Sequence, residues 1–249
     1  MREPSLRTFL CGAVAAAPQG ALSAPPGFRW NVPGVTATPP NPPDDEQFLS
    51  DTIDTLQATL CIDDRQVYAD GYSGGGRMVS QYACDHADRL AAISLVSGLR
   101  AGVPRQGTNG PEPDPTTCNP SRPVPIISFQ GTADPVNPYL GGGNPYWQYG
   151  VPAAQARWAE LNDCHRGPRT RPVTEHVSLI ADFACEGNAQ VLLYLVEGGG
   201  HTWPGSTTFP PQSPLGPVTL EIGANELAWD FFEKHRLPGR QAQGPKNRP

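Results

Sequence analysis

Apolar positions along the chain fall into two patterns. Predominantly apolar runs at Ala91 to Val96, Val124 to Phe129 and Val191 to Val196 predict buried strands, and Val67 to Ala69 is a shorter run of the same kind. Between them the spacing turns helical. Asp44-Asp45-Glu46-Gln47 opens a predicted helix on which Phe48, Ile53, Leu56 and Leu60 recur, with acidic residues complementing the dipole of the first turn. Met78 to Arg89 and Pro152 to Leu161 predict further helices, the second with Trp158 toward the core. Glu221 to His235 predicts a closing helix with Ile222, Leu227, Trp229, Phe231 and Phe232 as apolar contacts. Val177 to Phe183 and Cys185 predict a hairpin ahead of the last core strand. Strands alternating with helices predict an α/β fold with a mostly parallel sheet flanked by helices.

Three connections stand out. Residues 18 to 43 are Pro-rich around Trp30, residues 99 to 122 carry five prolines and predict a long loop walling a cleft, and Gly141 to Tyr149 is a glycine and aromatic loop. Residues 237 to 249 read as a polar, flexible tail. With 249 residues, one domain of ordinary size can bury a core without metal help. A net charge of -6, with no Lys/Arg run interleaved with aromatics, argues against nucleic acid as a partner. No apolar run reaches the roughly 18 residues of a membrane span. The six cysteines, Cys11, Cys61, Cys84, Cys118, Cys164 and Cys185, contain no C-x-x-C pair, which favours an oxidised, exported protein over a zinc or dithiol site.

The chemistry centres on Gly71-Tyr72-Ser73-Gly74-Gly75, which follows the run Val67 to Ala69 and precedes a predicted helix. That is the strand, sharp turn and helix of a G-x-S-x-G nucleophile elbow. The turn strains the serine backbone, so Gly71 and Gly75 are expected where a Cβ would meet its neighbours. The Gly74 N–H would face a developing oxyanion at the positive end of the helix. A glycine-rich turn alone does not define a nucleophile, because serine often serves there as a hydrogen-bonding residue. A phosphate loop is excluded, since Arg77-Met78 stands where Lys-Ser/Thr is needed.

Two further loops follow predicted strands. Gly131-Thr132-Ala133-Asp134-Pro135 follows Val124 to Phe129, and Gly198-Gly199-Gly200-His201-Thr202-Trp203-Pro204 follows Val191 to Val196. Ser73, Asp134 and His201 then stand in the chain order of nucleophile, acid and base. A serine hydroxyl needs an imidazole to take its proton, and a buried carboxylate fixes the tautomer of that imidazole. Asp163 and Asp182 lie beside a helix and in a hairpin, and His86, His165, His176 and His235 occupy positions suited to exposed residues.

Together these three segments, with Pro138-Tyr139, Asp44-Asp45 and Phe48, resemble the poly(3-hydroxybutyrate) depolymerase/feruloyl esterase-like family of secreted serine esterases. The likeness runs over roughly residues 12 to 236 and is most specific at Gly-His-Thr-Trp-Pro-Gly. It implies an α/β-hydrolase fold and hydrolysis of a polyester or feruloyl ester through an acyl-enzyme. Ser73 would be the nucleophile, His201 the base and Asp134 its orienting partner, with Gly74 as an oxyanion donor. Tyr72, Trp203 and Trp147 would line the substrate pocket. Cys164 and Cys185 bracket a hairpin and would form a disulfide, whereas Cys84 could pair with Cys118 or Cys61. The resemblance implies no metal or organic cofactor, a location outside the cell, and a monomer acting on a small or polymeric ester.

The sequence departs from the family in two places. Gln130 stands where a histidine is usual, and the His-Gly loop that supplies a second oxyanion donor is missing. Residues 1 to 24 read either as a secretory signal or as the remnant of a core strand at Gly12 to Ala17, with residues 25 to 236 as the hydrolase domain. On the second reading the amino-terminal strands of the family are lacking, and the chain is expected to be a weak catalyst. Alternatives of a different class are a catalytically impaired hydrolase-fold protein and a secreted carbohydrate-binding protein using Trp30, Trp147 and Trp203.

Overall fold

A computed structural model describes residues 13–32, 34, 39–210 and 213–239. In chain order the strands are β1 (Leu22–Ala24), β2 (Gly27–Arg29), β3 (Tyr68–Tyr72), β4 (Ala92–Val96), β5 (Pro104–Gly107), β6 (Gly110–Pro113), β7 (Ile126–Gly131), β8 (Arg166–Pro172), β9 (Val177–Phe183) and β10 (Val191–Val196). The helices are α1 (Asp45–Thr59), α2 (Gly74–Asp85), α3 (Val151–Leu161) and α4 (Ala224–Phe232).

A six-stranded sheet in the order β3-β4-β7-β10-β9-β8 forms the centre. Its first four strands are parallel, and β9 and β8 add an antiparallel edge. Strand alternation divides the core between two faces. Ile93 and Leu95 of β4, Ile126 of β7, and Val191 and Leu193 of β10 pack with Val79 and Tyr82 of α2 and Trp158 of α3. Ala92, Val96, Ile127, Phe129, Tyr194 and Val196 point the other way, against Phe231 and Phe232 of α4. Each fully buried aliphatic side chain of this core contributes about 1.5–3 kcal/mol. The arrangement is an α/β-hydrolase sheet with helices on both sides.

Several expectations need correction. Residues 13–20 form no strand; Val14 is 56 % exposed, because no neighbouring strand accepts the run. The expectations for residues 1–12 and 240–249 lie outside the described residues. The Pro-rich segment contains the β1-β2 hairpin, and the long loop after β4 contains the β5-β6 hairpin. Phe48 on α1 and Leu60 at its C-cap are each 43 % exposed, whereas Ile53 packs on the core as expected and Leu49 joins it. Helix α2 starts at Gly74, earlier than the apolar spacing suggests, because the glycines of the elbow already form its first turn. It stops at Asp85, and a single 3₁₀ turn follows at Ala87–Arg89. The closing helix is confined to Ala224–Phe232, and Trp229 is 46 % exposed. His235 is buried, with its ring on Phe231.

Two disulfides are present among the described residues. Cys84–Cys118 ties the far end of α2 to the loop before β7, and Cys164–Cys185 closes the β8-β9 hairpin; Cys61 is free and exposed. No described helix is long and apolar enough to cross a membrane.

Candidate active site

Strands β3, β7 and β10 run parallel, so the loops leaving their carboxyl ends meet on one side of the sheet. Ser73 occupies the turn between β3 and α2 with φ 53° and ψ -114°, a backbone conformation that non-glycine residues rarely adopt. The turn is tight. A Cβ on Gly71 would sit 2.6 Å from the backbone of Gly75, and one on Gly76 would sit 2.9 Å from the Gly71 carbonyl oxygen. Gly75 does not need to be small in this way, since a Cβ there would find only the Trp30 indole nitrogen, at 3.8 Å. The steric requirement on the helix side thus falls on Gly76, one position later than expected.

His201 Nε2 lies 2.8 Å from Ser73 Oγ, and His201 Nδ1 lies 2.8 Å from Asp134 Oδ2. An ionised carboxylate can only accept, so the proton sits on Nδ1 and Nε2 is left to accept from the serine hydroxyl. Both His201 and Asp134 are buried. Burial pushes the Asp134 carboxyl up, but hydrogen bonds from His201, Asn137 and Val136, with the charge of His201, outweigh it and hold the group below the ordinary carboxylate range. The backbone N–H groups of Val136 and Asn137 donate to Oδ1 at 2.8 and 2.7 Å, and Gln130 Nε2 donates to Oδ2 at 3.0 Å. Gln130 thereby acts as a donor to the carboxylate, and it also donates to the Asn137 carbonyl at 2.9 Å.

Tyr72 braces the histidine loop. Its hydroxyl donates to the His201 carbonyl at 2.7 Å, and its ring faces His201, Trp203 and Phe209 with centroids 5.1, 6.2 and 6.4 Å away. Burial, with the Asp134 charge, raises the phenol to about 12. Trp203 is half-buried and donates to Asn225 Oδ1 at 3.1 Å. Phe209 joins this aromatic wall without having been expected, because an isolated Phe in a Pro-rich loop carries no periodic signal. Trp147 does not line the site. It is fully buried, its indole N–H donates to the Pro138 carbonyl at 2.8 Å, and the Arg100 guanidinium lies 4.9 Å from its ring centroid. A sugar-binding surface that uses Trp147 is therefore ruled out. Gly74 opens α2, where the first N–H groups have no partner within the helix. No group of three or more metal-ligating side chains occurs among the described residues.

A serine on the turn between a parallel strand and its helix, hydrogen-bonded to a histidine after the last parallel strand, places the molecule among the α/β-hydrolases. Comparison with known proteins narrows the class. The chain is 29 % identical over 233 residues to feruloyl esterase B of Piromyces equi, covering 91 % of this chain and 37 % of that protein. It is 34 % identical over 192 residues to feruloyl esterase D of Neurospora crassa, covering 77 % and 56 %. A Nocardia uniformis protein, NocK, whose name places it among the esterases, is 28 % identical over 222 residues, covering 82 % and 61 %. No family model matches the chain. The chain is thus similar to feruloyl esterases and another esterase-named protein, and it spans only 37 to 61 % of the length of these three relatives.

Proposed function

We propose that the chain is a serine carboxylesterase that cleaves hydroxycinnamoyl or short-chain polyester bonds through an acyl-enzyme, with residues 25–236 as the working unit. The observation that carries this reading is the continuous hydrogen-bonded line from Ser73 Oγ through His201 to Asp134.

Ser73 Oγ attacks the ester carbonyl as its proton passes to His201 Nε2, and Asp134 stabilises the imidazolium without taking the proton. The carbonyl oxygen becomes an oxyanion and accepts from the Gly74 N–H at the positive end of α2. Collapse breaks the C–O bond, and the alcohol leaves with the proton from His201. Water, deprotonated by His201, then attacks the acyl-enzyme and releases the acid and the serine. The aromatic wall of Tyr72, Trp203 and Phe209 offers an acyl or aryl group an apolar surface. Two disulfides fit an oxidising location outside the cytosol.

The test is hydrolysis of p-nitrophenyl butyrate and methyl ferulate by the purified chain beside Ser73→Ala. Loss of about 10⁶ in kcat on substitution is the expected result. Turnover that survives Ser73→Ala would remove the serine mechanism.

A further inference from the structure

Among the described residues, one cation near the nucleophile has no carboxylate paired with it. Arg77 lies one turn into α2, and its guanidinium folds back so that Nη2 would be 3.4 Å from a Cβ on Gly74. The face of the guanidinium rests on Tyr146, 3.9 Å from the ring centroid, under the 141–149 loop. Its Nε is shut off from solvent without an acceptor, and no carboxylate among the described residues pairs with it.

A second cation deepens the same field. Arg100, 4 % exposed, donates to the carbonyls of Trp147 and Tyr149, yet its own Nε and Nη2 are buried and unpartnered. It lies close enough to Arg77 for the two charges to oppose each other. Burial is what chiefly lowers both guanidinium groups from their ordinary value, Arg100 to about 10, so at neutral pH both remain charged. A half-buried cation in the first turns of α2 and a fully buried one behind it, with no carboxylate paired to either among the described residues, make a local potential that an anion would relieve. Buried charge is costly, and here the fold offsets it only with aromatic faces and, for Arg100, two backbone carbonyls, with no carboxylate among the described residues.

We infer that Arg77, floored by Tyr146 and backed by Arg100, is a carboxylate-binding subsite that selects esters bearing a free carboxylate a few bonds from the scissile carbonyl. This rests on Ser73 being the nucleophile proposed above, because the subsite is placed by its approach to Gly74, the residue after that serine. Two sources share the chemistry. The carboxylate could belong to the acyl part, as in a half-ester of a dicarboxylic acid, or to the alcohol part, as at the free acid end of a hydroxyacid oligomer.

The test uses the whole chain and two ester pairs. Monoethyl succinate against diethyl succinate reports the acyl side, and 3-butanoyloxybutanoate against its methyl ester reports the alcohol side. In one pair the ratio of kcat/KM, acid over neutral, is expected to fall about tenfold or more in Arg77→Gln, mainly through KM. Arg77→Lys should retain part of the preference, and about 0.5 M salt should weaken it. The pair that responds identifies the side. Equal losses on acid and neutral esters would reduce Arg77 to a structural prop and overturn the inference, as would unchanged ratios in both pairs. If no ester turns over, the esterase reading fails by itself. The subsite is then judged by calorimetric binding of monoethyl succinate to Ser73→Ala with and without Arg77→Gln. About tenfold weaker binding supports it, and equal binding overturns it.

Discussion

Near Ser73 the carboxylate of Asp134 is buried and the guanidinium of Arg77 half-buried, and they are treated in opposite ways. Asp134 receives four donors, from His201, Gln130, Val136 and Asn137, so its charge is consumed by the fold. Arg77 has an aromatic ring beneath it and no acceptor among the described residues. A completed network holds one geometry, whereas a charge left open is a place for something that arrives. The first wall of the cleft can therefore be read as machinery and the second as selection.

Breaking the completed wall should have the largest effect. Asp134→Asn is expected to lower kcat about 10⁴-fold while leaving the fold intact by circular dichroism, because the histidine loses the partner that fixes its tautomer. A decrease under tenfold would mean that the Gly131–Asn137 turn alone holds His201. On the open wall, Arg100→Met strips the donor from the Trp147 and Tyr149 carbonyls and should cost about 1–3 kcal/mol, seen by calorimetry as a lower Tm.

His235 sharpens the contrast, since unlike arginine it can shed its charge. Burial, with the nearby charges of Lys234 and Arg122, pushes it down to about 4. The unfolded chain therefore takes up a proton near pH 6.5 that the folded chain refuses until about 4. Its stabilising contribution is complete above about pH 6.5, falls as pH drops, and levels off below about 4. Tm should decline across that window, and less steeply in His235→Gln. Parallel declines would assign the loss to other groups. Gln130→Leu removes one donor to Asp134 and should lower kcat about tenfold, a smaller effect than losing the carboxylate itself. Arg77→Met is expected to change stability least, by about 0.5–1 kcal/mol for the lost stacking, because no hydrogen bond is broken.

What could be read from the sequence follows from which forces leave a pattern. Strands β4, β7 and β10 are largely buried and show as dense apolar runs, so the loops after β3, β7 and β10 could be placed. β8 left no such mark. Its residues Arg166 to Pro172 are all exposed, and it is held to β9 by backbone pairing, by Arg169 over the Phe183 ring and by the disulfide that closes the hairpin, with arginines and prolines guarding the open edge. The β5-β6 hairpin did carry a signal, Asn109-Gly110, but prolines on both sides masked it. Trp147 and His235 illustrate a different gap. Each was given a place by its segment, the one in a glycine loop and the other at a helix end, yet each is drawn inward by partners far along the chain: Arg100 for Trp147, and for His235 the hydroxyl of Tyr68, which donates to its carbonyl at 2.9 Å.

The helix that begins at the nucleophile is clamped at both ends, by the interlocked glycine backbone of the turn at one and by the Cys84–Cys118 bond at the other. In mechanical terms it is a fixed jaw. The tip at residues 142–145, next to the Tyr146 that rests on Arg77, is exposed, and a Cβ on Gly142 would meet nothing within 4 Å, so this side has room to move that the elbow lacks. Substrates of different girth would be accommodated by bending that tip, at little cost to the alignment of the serine.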